Sequence, residues 1–467
     1  MATVAAGTAP PVSDAGWFDT PLHRGISPRM LTLFIIGDVI GGGIYALVGV
    51  IAGEVGGAMW APFLLAFLLA MLTAGAYAEL ISKYPRAGGA AVFVQRAYRS
   101  NALAFVAGVA VLCSGLTSAA SLATAFGGNY FQELVSAPQL LVSLLFVGVV
   151  ALVNLRGVTE SVRVNLAFTL IEVVGLLLIV GIALSVIFGG SGEADPSRAL
   201  DFKAGDTVFA LVLSGAALAF YAFVGFEDSA NMAEEVQDPS RAYPRALFTG
   251  LLVAGAIYML VTITTAMVVS TDTLLGSDGA PLLEVVRVGG GVPLDLFAVI
   301  GLFAVANGAL INLMMASRLL YGMGRSNLVP AAFSRVHETR RTPWVAIAFT
   351  TVLCGVLIAT GTVADLAATT SLLLMLVFTL VNVAVLLLRR ESVDHDHFRI
   401  PTVIPIAGAA VCLALLTQQE GETWARAGIL IGIGVVLWLI QYATGGGRGG
   451  DPVPASHPTT DEVHAAS

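Results

Sequence analysis

Apolar runs close to the roughly 20 residues an α-helix needs to cross the hydrocarbon core of a bilayer recur from residue 30 to residue 443 of this 467-residue chain. In lipid every backbone N–H and C=O must be satisfied within its own segment, so such runs are confined to helices. Twelve are read, at 29–52, 60–82, 102–133, 139–155, 163–188, 206–235, 244–270, 293–322, 343–360, 366–389, 402–418 and 425–443. Charged residues make up 12% of the chain, against about 25% in soluble domains. The expected fold class is therefore an all-α polytopic membrane protein with twelve transmembrane helices. No soluble stretch is long enough for a catalytic domain, and none carries a nucleotide-binding loop, a metal cluster or a nucleophile paired with a base. An enzyme, a cofactor, a metal site and a nucleic-acid partner are all unexpected.

Charge placement orients the chain. With the N-terminus on the cytoplasmic side, all but Arg198, Lys203, Arg287 and Arg426 of the 23 Lys and Arg fall at cytoplasmic ends or loops. The positive-inside rule then puts both termini in the cytoplasm. The predicted outer loops carry Glu193, Asp195, Asp201, Asp272, Asp278 and Glu284, an acidic mouth that would mildly concentrate cations. No cleavable signal peptide is read in the first residues, and the Gly-rich polar tail reads as disordered. Cys113, Cys354 and Cys412 lie inside apolar runs and read as packing residues, not as a disulfide framework.

Two of the twelve runs are interrupted. In Gly37-Asp38-Val39-Ile40-Gly41-Gly42-Gly43-Ile44 three consecutive glycines cost about 1 kcal/mol each relative to alanine in a helix. Broken backbone survives at membrane depth only where it is buried in protein or lines a cavity. Beside it, Asp38 places a carboxyl group that costs about 2.5–3.5 kcal/mol even on the lenient insertion scale. Span six repeats the pattern in Tyr221-Ala222-Phe223-Val224-Gly225-Phe226-Glu227-Asp228. Five spans separate the breaks, and an odd offset inverts the second unit. Paired broken helices in two inverted halves point to the central site of a secondary transporter. The expected organisation is a cytoplasmic segment 1–28, a five-helix repeat 29–188, its inverted counterpart 206–389, two extra helices at 402–443 and a tail 444–467.

At these residues the sequence resembles the amino acid-polyamine-organocation superfamily, especially its bacterial cationic-amino-acid-transporter-like permeases. Besides the glycine break, Tyr84-Pro85-Arg86-Ala87-Gly88-Gly89, Ala233-Glu234-Glu235-Val236-Gln237-Asp238-Pro239 and Ser317-Arg318-Leu319-Leu320-Tyr321-Gly322-Met323-Gly324-Arg325 are similar to recurrent family stretches. The resemblance covers about residues 25 to 400. It implies a LeuT-type 5+5 inverted repeat, alternating access, and a substrate held between the breaks of spans one and six. The physics agrees. N–H groups at Gly42, Gly43 and Ile44 open a half-helix whose positive end can hold a carboxylate. Carbonyls near Ile40, Tyr221, Ala222 and Val224 would accept from an ammonium. With Gly41, these backbone positions form the expected substrate site, and Ser118 and Leu122 of span three with Phe223 or Phe226 are the candidate side-chain pocket.

The sequence also departs from the family. Where relatives often carry a span-five lysine, the register running from Gly157 places Glu172, with the opposite charge. Asp38 stands where the residue is usually small and neutral. Four roles stay open for these two acids: proton relay, ligands for a substrate amine, a sodium site, or a structural pair. Glu227 sits where several relatives carry an acidic gating residue. Asp228, Glu234 and Glu235 read as solvated or capping charges, and Asn307 and Asn312 as helix–helix hydrogen-bonding residues. The expected function is a monomeric plasma-membrane carrier importing an amino acid or polyamine with protons, ahead of sodium, with cationic or amine-bearing substrates favoured. A neutral amino acid symporter or exchanger and a non-transporting receptor of the same fold are the alternatives. A channel and a chloride cotransporter rank below them.

Overall fold

The computed structural model describes residues 26–85, 89–156, 161–189, 194–277, 280–326, 328–338, 340 and 342–443. The tail 444–467, the segment before residue 26, Arg86 to Gly88 of the loop motif, Gly157 to Glu160, Glu193 and Asp278 lie outside the described residues.

The first apolar run is two helices, α1 (Pro28–Val39) and α2 (Gly43–Val55), followed by α3 (Trp60–Lys83), α4 (Gly89–Tyr98), α5 (Asn101–Ala125), α6 (Gln139–Arg156) and α7 (Ser161–Gly189). The second half runs through α8 (Val208–Ala219), α9 (Pro239–Val268), α10 (Thr271–Leu275), α11 (Pro281–Gly289), α12 (Leu294–Arg325), α13 (Trp344–Thr360) and α14 (Val363–Leu388). It is followed by α15 (Val403–Leu416) and α16 (Gly421–Ala443). Every expected run is helical, and most ends agree within three residues. α9 starts five residues early, at Pro239, because its first turns are polar and fall outside the apolar run. Three short helices, α4, α10 and α11, lie in stretches too polar or too short to have been read as spans.

The helix starts follow local chemistry. Ser27 caps α1 by accepting the Met30 N–H at 3.3 Å, with Pro28 in the first turn where its missing N–H is harmless. Thr362 and Asp365 form a reciprocal capping box at the start of α14. Among the described residues ten segments are long and apolar enough to cross a membrane, counting each broken helix once. α13 and α15 have 17 and 14 residues. At 1.5 Å per residue they reach about 26 and 21 Å, short of a core about 30 Å thick. Leu145, Leu152, Leu170, Val352 and Ile429 are each more than 60% exposed on the outside of the bundle. Large apolar side chains exposed on this scale suit lipid, not water. The protein is a multi-pass helical membrane protein.

Inside, α3 packs on α8 and α9, while α5 packs on α12 and α14. The start of α1 is clipped to the chain leaving the second break, through Ile26 N–H to Glu235 O and Gln237 N–H to Ile26 O, both at 3.0 Å. The end of α3 is clasped by the connection after α14. Lys83 Nζ donates to the carbonyls of Leu388 and Glu391 at 2.7 Å each, and Tyr84 Oη and Arg96 Nε meet Glu391 Oε2 at 2.9 and 2.8 Å. Partial burial alone would raise the Glu391 carboxyl. The hydrogen bonds from Arg96 and Tyr84 and the charges of Arg96 and Lys83 outweigh it and hold the group below the usual range.

Candidate functional site

α1 ends at Val39, and Ile40 N–H closes its last turn on Ile36 O at 2.8 Å. Gly41 and Gly42 turn the chain before α2 begins at Gly43. The first hydrogen bond into α2 runs from Ala46 N–H to Gly42 O at 3.1 Å, so the amides of Gly43, Ile44 and Tyr45 precede its ladder. The glycines are also steric requirements. A Cβ on Gly42 would come within 2.8 Å of Val305 Cα, and one on Gly43 within 3.1 Å of Ala222 Cα. Gly42 thus lets the first break pack against α12, and Gly43 lets it meet the backbone of the second break.

The second break is built differently. α8 tightens into a 3-10 turn at Phe220–Phe223, Gly225 takes φ +126°, and the chain continues in 3-10 turns at Asp228–Glu235. Gly225 lies against Asp38, where an added Cβ would sit 2.8 Å from Asp38 O and 3.1 Å from Asp38 Cγ. Tyr258 of α9 ties the breaks together, its Oη 2.7 Å from Val39 O and 3.1 Å from Ala222 O. One hydroxyl proton is thus shared by a carbonyl of each broken helix. Tyr258→Phe should lower stability by about 1–3 kcal/mol, the usual penalty for a buried acceptor losing its donor. Equilibrium unfolding in detergent reads this, and a variant as stable as wild type would show that the bridge carries nothing.

Between the breaks lies a small cavity of about 30 Å³. Asp38, Gly41, Gly42 and Gly43 line it from the first break, and Tyr221, Ala222, Val224, Gly225 and Asp228 from the second. Ser118 and Leu122 of α5 and Asn307, Gly308, Ile311 and Asn312 of α12 close it. Ser118 Oγ pairs across helices with Tyr221 Oη at 3.2 Å. The geometry departs from the expected site at several residues. Phe223 faces Phe63, Phe67 and Tyr258, and Phe226 faces Tyr77 and Phe378, so neither aromatic lines the cavity. Ile40 and Ile44 are buried outside the lining. The Tyr221 carbonyl, expected free, accepts the Val224 N–H at 3.2 Å, and that of Ala222 accepts from Tyr258.

The acids separate by position. Glu227 is 7% exposed and turns back to accept the Gly225 N–H at 3.0 Å. Its neighbour Asp228, read from sequence as solvated or capping, faces the cavity. Glu172 is fully buried behind the lining. Its Oε1 accepts from Asn307 Nδ2 at 3.1 Å, its Oε2 has no partner among the described residues, and its main-chain carbonyl accepts from Tyr45 Oη at 2.7 Å. Gly37 packs against Thr169, one turn before Glu172 on α7, which brings α7 onto the end of α1. Asn307 therefore touches both the cavity and Glu172. Asn312 bonds to Gly308 O within its own helix, at 2.9 Å. Tyr258 stands outside the residues expected for the site; the signal for it in the sequence is a tyrosine at mid-span, whose hydroxyl must find a partner in hydrocarbon.

A bundle of membrane-length helices enclosing a small cavity defines a multi-pass helical membrane protein. The family profile described as amino acid permease matches residues 26–442, and the chain belongs to that family. It is 28% identical to the branched-chain amino acid permease BcaP of Bacillus subtilis (strain 168), over 90% of this chain and 93% of that one. It is 27% identical to the methylthioribose transporter of the same organism, over the same shares of the two chains. It is 26% identical to the low-affinity putrescine importer PlaP of Escherichia coli (strain K12), over 83% of this chain and 88% of that one.

Proposed function

We propose that this permease is a proton-coupled secondary active transporter of amino acids or polyamines, with cationic or amine-bearing substrates favoured. One observation carries the substrate class: Asp38 and Asp228 line a cavity whose lining, among the described residues, includes no Lys, Arg or His. Half-buried carboxylates at membrane depth without a counter-charge attract a cation or a proton. The amides opening α2 offer the opposite polarity to a substrate carboxylate. In this reading the substrate touches Gly41, Gly42, Gly43, Ser118, Tyr221, Ala222 and Val224. Asp38, Glu172 and Glu227 serve coupling or gating, with Glu172 acting through Asn307. The protein works by alternating access as a monomer in the plasma membrane, with both termini cytoplasmic. Its architecture is twelve spans in a LeuT-type 5+5 inverted repeat, with the bilayer thinned locally at α13 and α15.

The apolar wall of Leu122 and Ile311 favours a second reading, a neutral amino acid whose side chain packs there. The deciding experiment is uptake of radiolabelled arginine, putrescine, alanine and γ-aminobutyrate into proteoliposomes, with proton gradients of either direction, for wild type and Asp38→Asn. Accumulation of arginine or putrescine, reduced at least about tenfold by the substitution, is the expected result; tenfold corresponds to about 1.4 kcal/mol. Accumulation of alanine alone would move the assignment to neutral substrates. No accumulation and no counterflow of any label would leave a receptor.

A further inference from the structure

Asp38 and Asp228 come together around one residue. Gly225 presses on Asp38, its Cβ position lying 3.1 Å from Asp38 Cγ, and Asp228 N–H donates to Gly225 O at 2.9 Å. Both residues line the central cavity, and the Asp228 charge acts directly on Asp38. Asp38 Oδ2 is shut off from solvent and has no hydrogen-bond partner among the described residues. The other charges acting on Asp38 are Glu227 beside Asp228 and Glu172 on α7, both acidic. Among the described residues, the remaining elements around the cavity bring no basic group: Ser118 and Leu122 from α5, Tyr258 from α9, and Asn307 and Asn312 from α12. Two adjacent carboxylates in a low-dielectric cavity cannot both stay ionised without a compensating positive charge.

We propose that Asp38 and Asp228 together hold one positive charge, supplied alternately by a proton and by the ammonium or guanidinium group of the substrate. The carrier then exchanges amines for protons instead of moving both in one direction. The proposal rests on the transporter reading above and deepens it by setting the sign of coupling. In the open state one proton leaves the pair for water as one cationic group enters, so the charge of the cavity is unchanged. Both loaded forms can close and reorient, whereas the doubly ionised empty form cannot. The amine accumulates on the acidic side. A cell with a more acidic exterior would use such a carrier to expel amines.

The test uses the full-length protein in proteoliposomes with radiolabelled arginine, a lumenal pH dye and the membrane potential clamped at zero. An acidic lumen should drive arginine in, with about tenfold accumulation for each unit of gradient, and external arginine should make the lumen more alkaline. Accumulation driven by an acidic exterior would overturn the exchange. Arginine–arginine counterflow at equal pH tests the transporter reading itself. Counterflow with the wrong gradient sign, or with no gradient effect, sinks the exchange and leaves the transporter standing; absent counterflow sinks both. Wild-type arginine affinity should weaken up to about tenfold per unit as pH falls. Asp228→Asn should flatten that dependence and Asp228→Glu should keep it. The same slope in all three proteins would remove Asp228 from the pair.

Discussion

Arg389→Met should destabilise the protein by about 3–5 kcal/mol, the usual consequence of leaving one partner of a buried ion pair uncompensated. Arg389 grips Glu79 of α3 through two bonds, Nε to Oε1 at 2.8 Å and Nη2 to Oε2 at 2.7 Å, and the Glu79 side chain is only 2% exposed. The same guanidinium donates to Ile400 O at 2.6 Å and to Thr402 Oγ1 at 2.8 Å, while Ile400 N–H returns to Glu79 Oε2 at 3.0 Å. One ion pair thus organises the whole turn from α14 into α15 against α3. Without Arg389, Glu79 keeps a single amide partner for a charge that cannot reach water. Glu79→Leu combined with Arg389→Met removes both charges and should recover a large part of the loss, since the two sites are directly coupled. Equilibrium unfolding in mixed detergent micelles compares the three proteins. A single variant within about 1 kcal/mol of wild type would mean that Glu79 finds compensation elsewhere.

How far sequence reaches in such a chain depends on which physical constraint acts. Helix limits were legible because the bilayer sets both the length of an apolar run and the polarity of its ends, so Trp60–Lys83 and Gln139–Arg156 match their runs within a residue. The first break was legible because three adjacent glycines have no other use in a helix. Side-chain direction after the second break was not. Helical periodicity fails where the backbone tightens at Phe220–Phe223 and reverses at Gly225, and this turns Phe223 and Phe226 into the core and Asp228 into the cavity. Choosing between adjacent Glu227 and Asp228 needs that backbone path, because only the path decides which carboxyl bonds to the Gly225 amide. Tyr258 lay within reach as a hydroxyl needing a partner at mid-span. Which two carbonyls it joins, 36 and 219 residues away, is a property of the tertiary fold.

Gly225 is the residue at which these arguments converge, and Gly225→Ala should cut transport by about 10–100-fold. Two penalties add at one position. The φ of +126° lies where an L-residue is strained by about 1–3 kcal/mol, and the new Cβ would meet the main-chain oxygen of Asp38 at 2.8 Å. That oxygen belongs to α1 and cannot rotate aside as a side chain could, so either the second break or the end of α1 must shift. A shift there moves Asp38 relative to Asp228 and pulls the Val39 and Ala222 carbonyls away from Tyr258. Gly181→Ala on α7 is the control with the opposite expectation. None of the described residues lies within 4 Å of its Cβ position, and alanine in a helix interior gains about 0.5–1 kcal/mol over glycine. Counterflow rates and unfolding midpoints of the two variants should therefore move in different ways, the first losing transport and the second keeping it with equal or greater stability. If Gly225→Ala transports like wild type, the second break does not seat on Asp38 in the working cycle. The paired-carboxylate site would then lose the contact that holds its two members together.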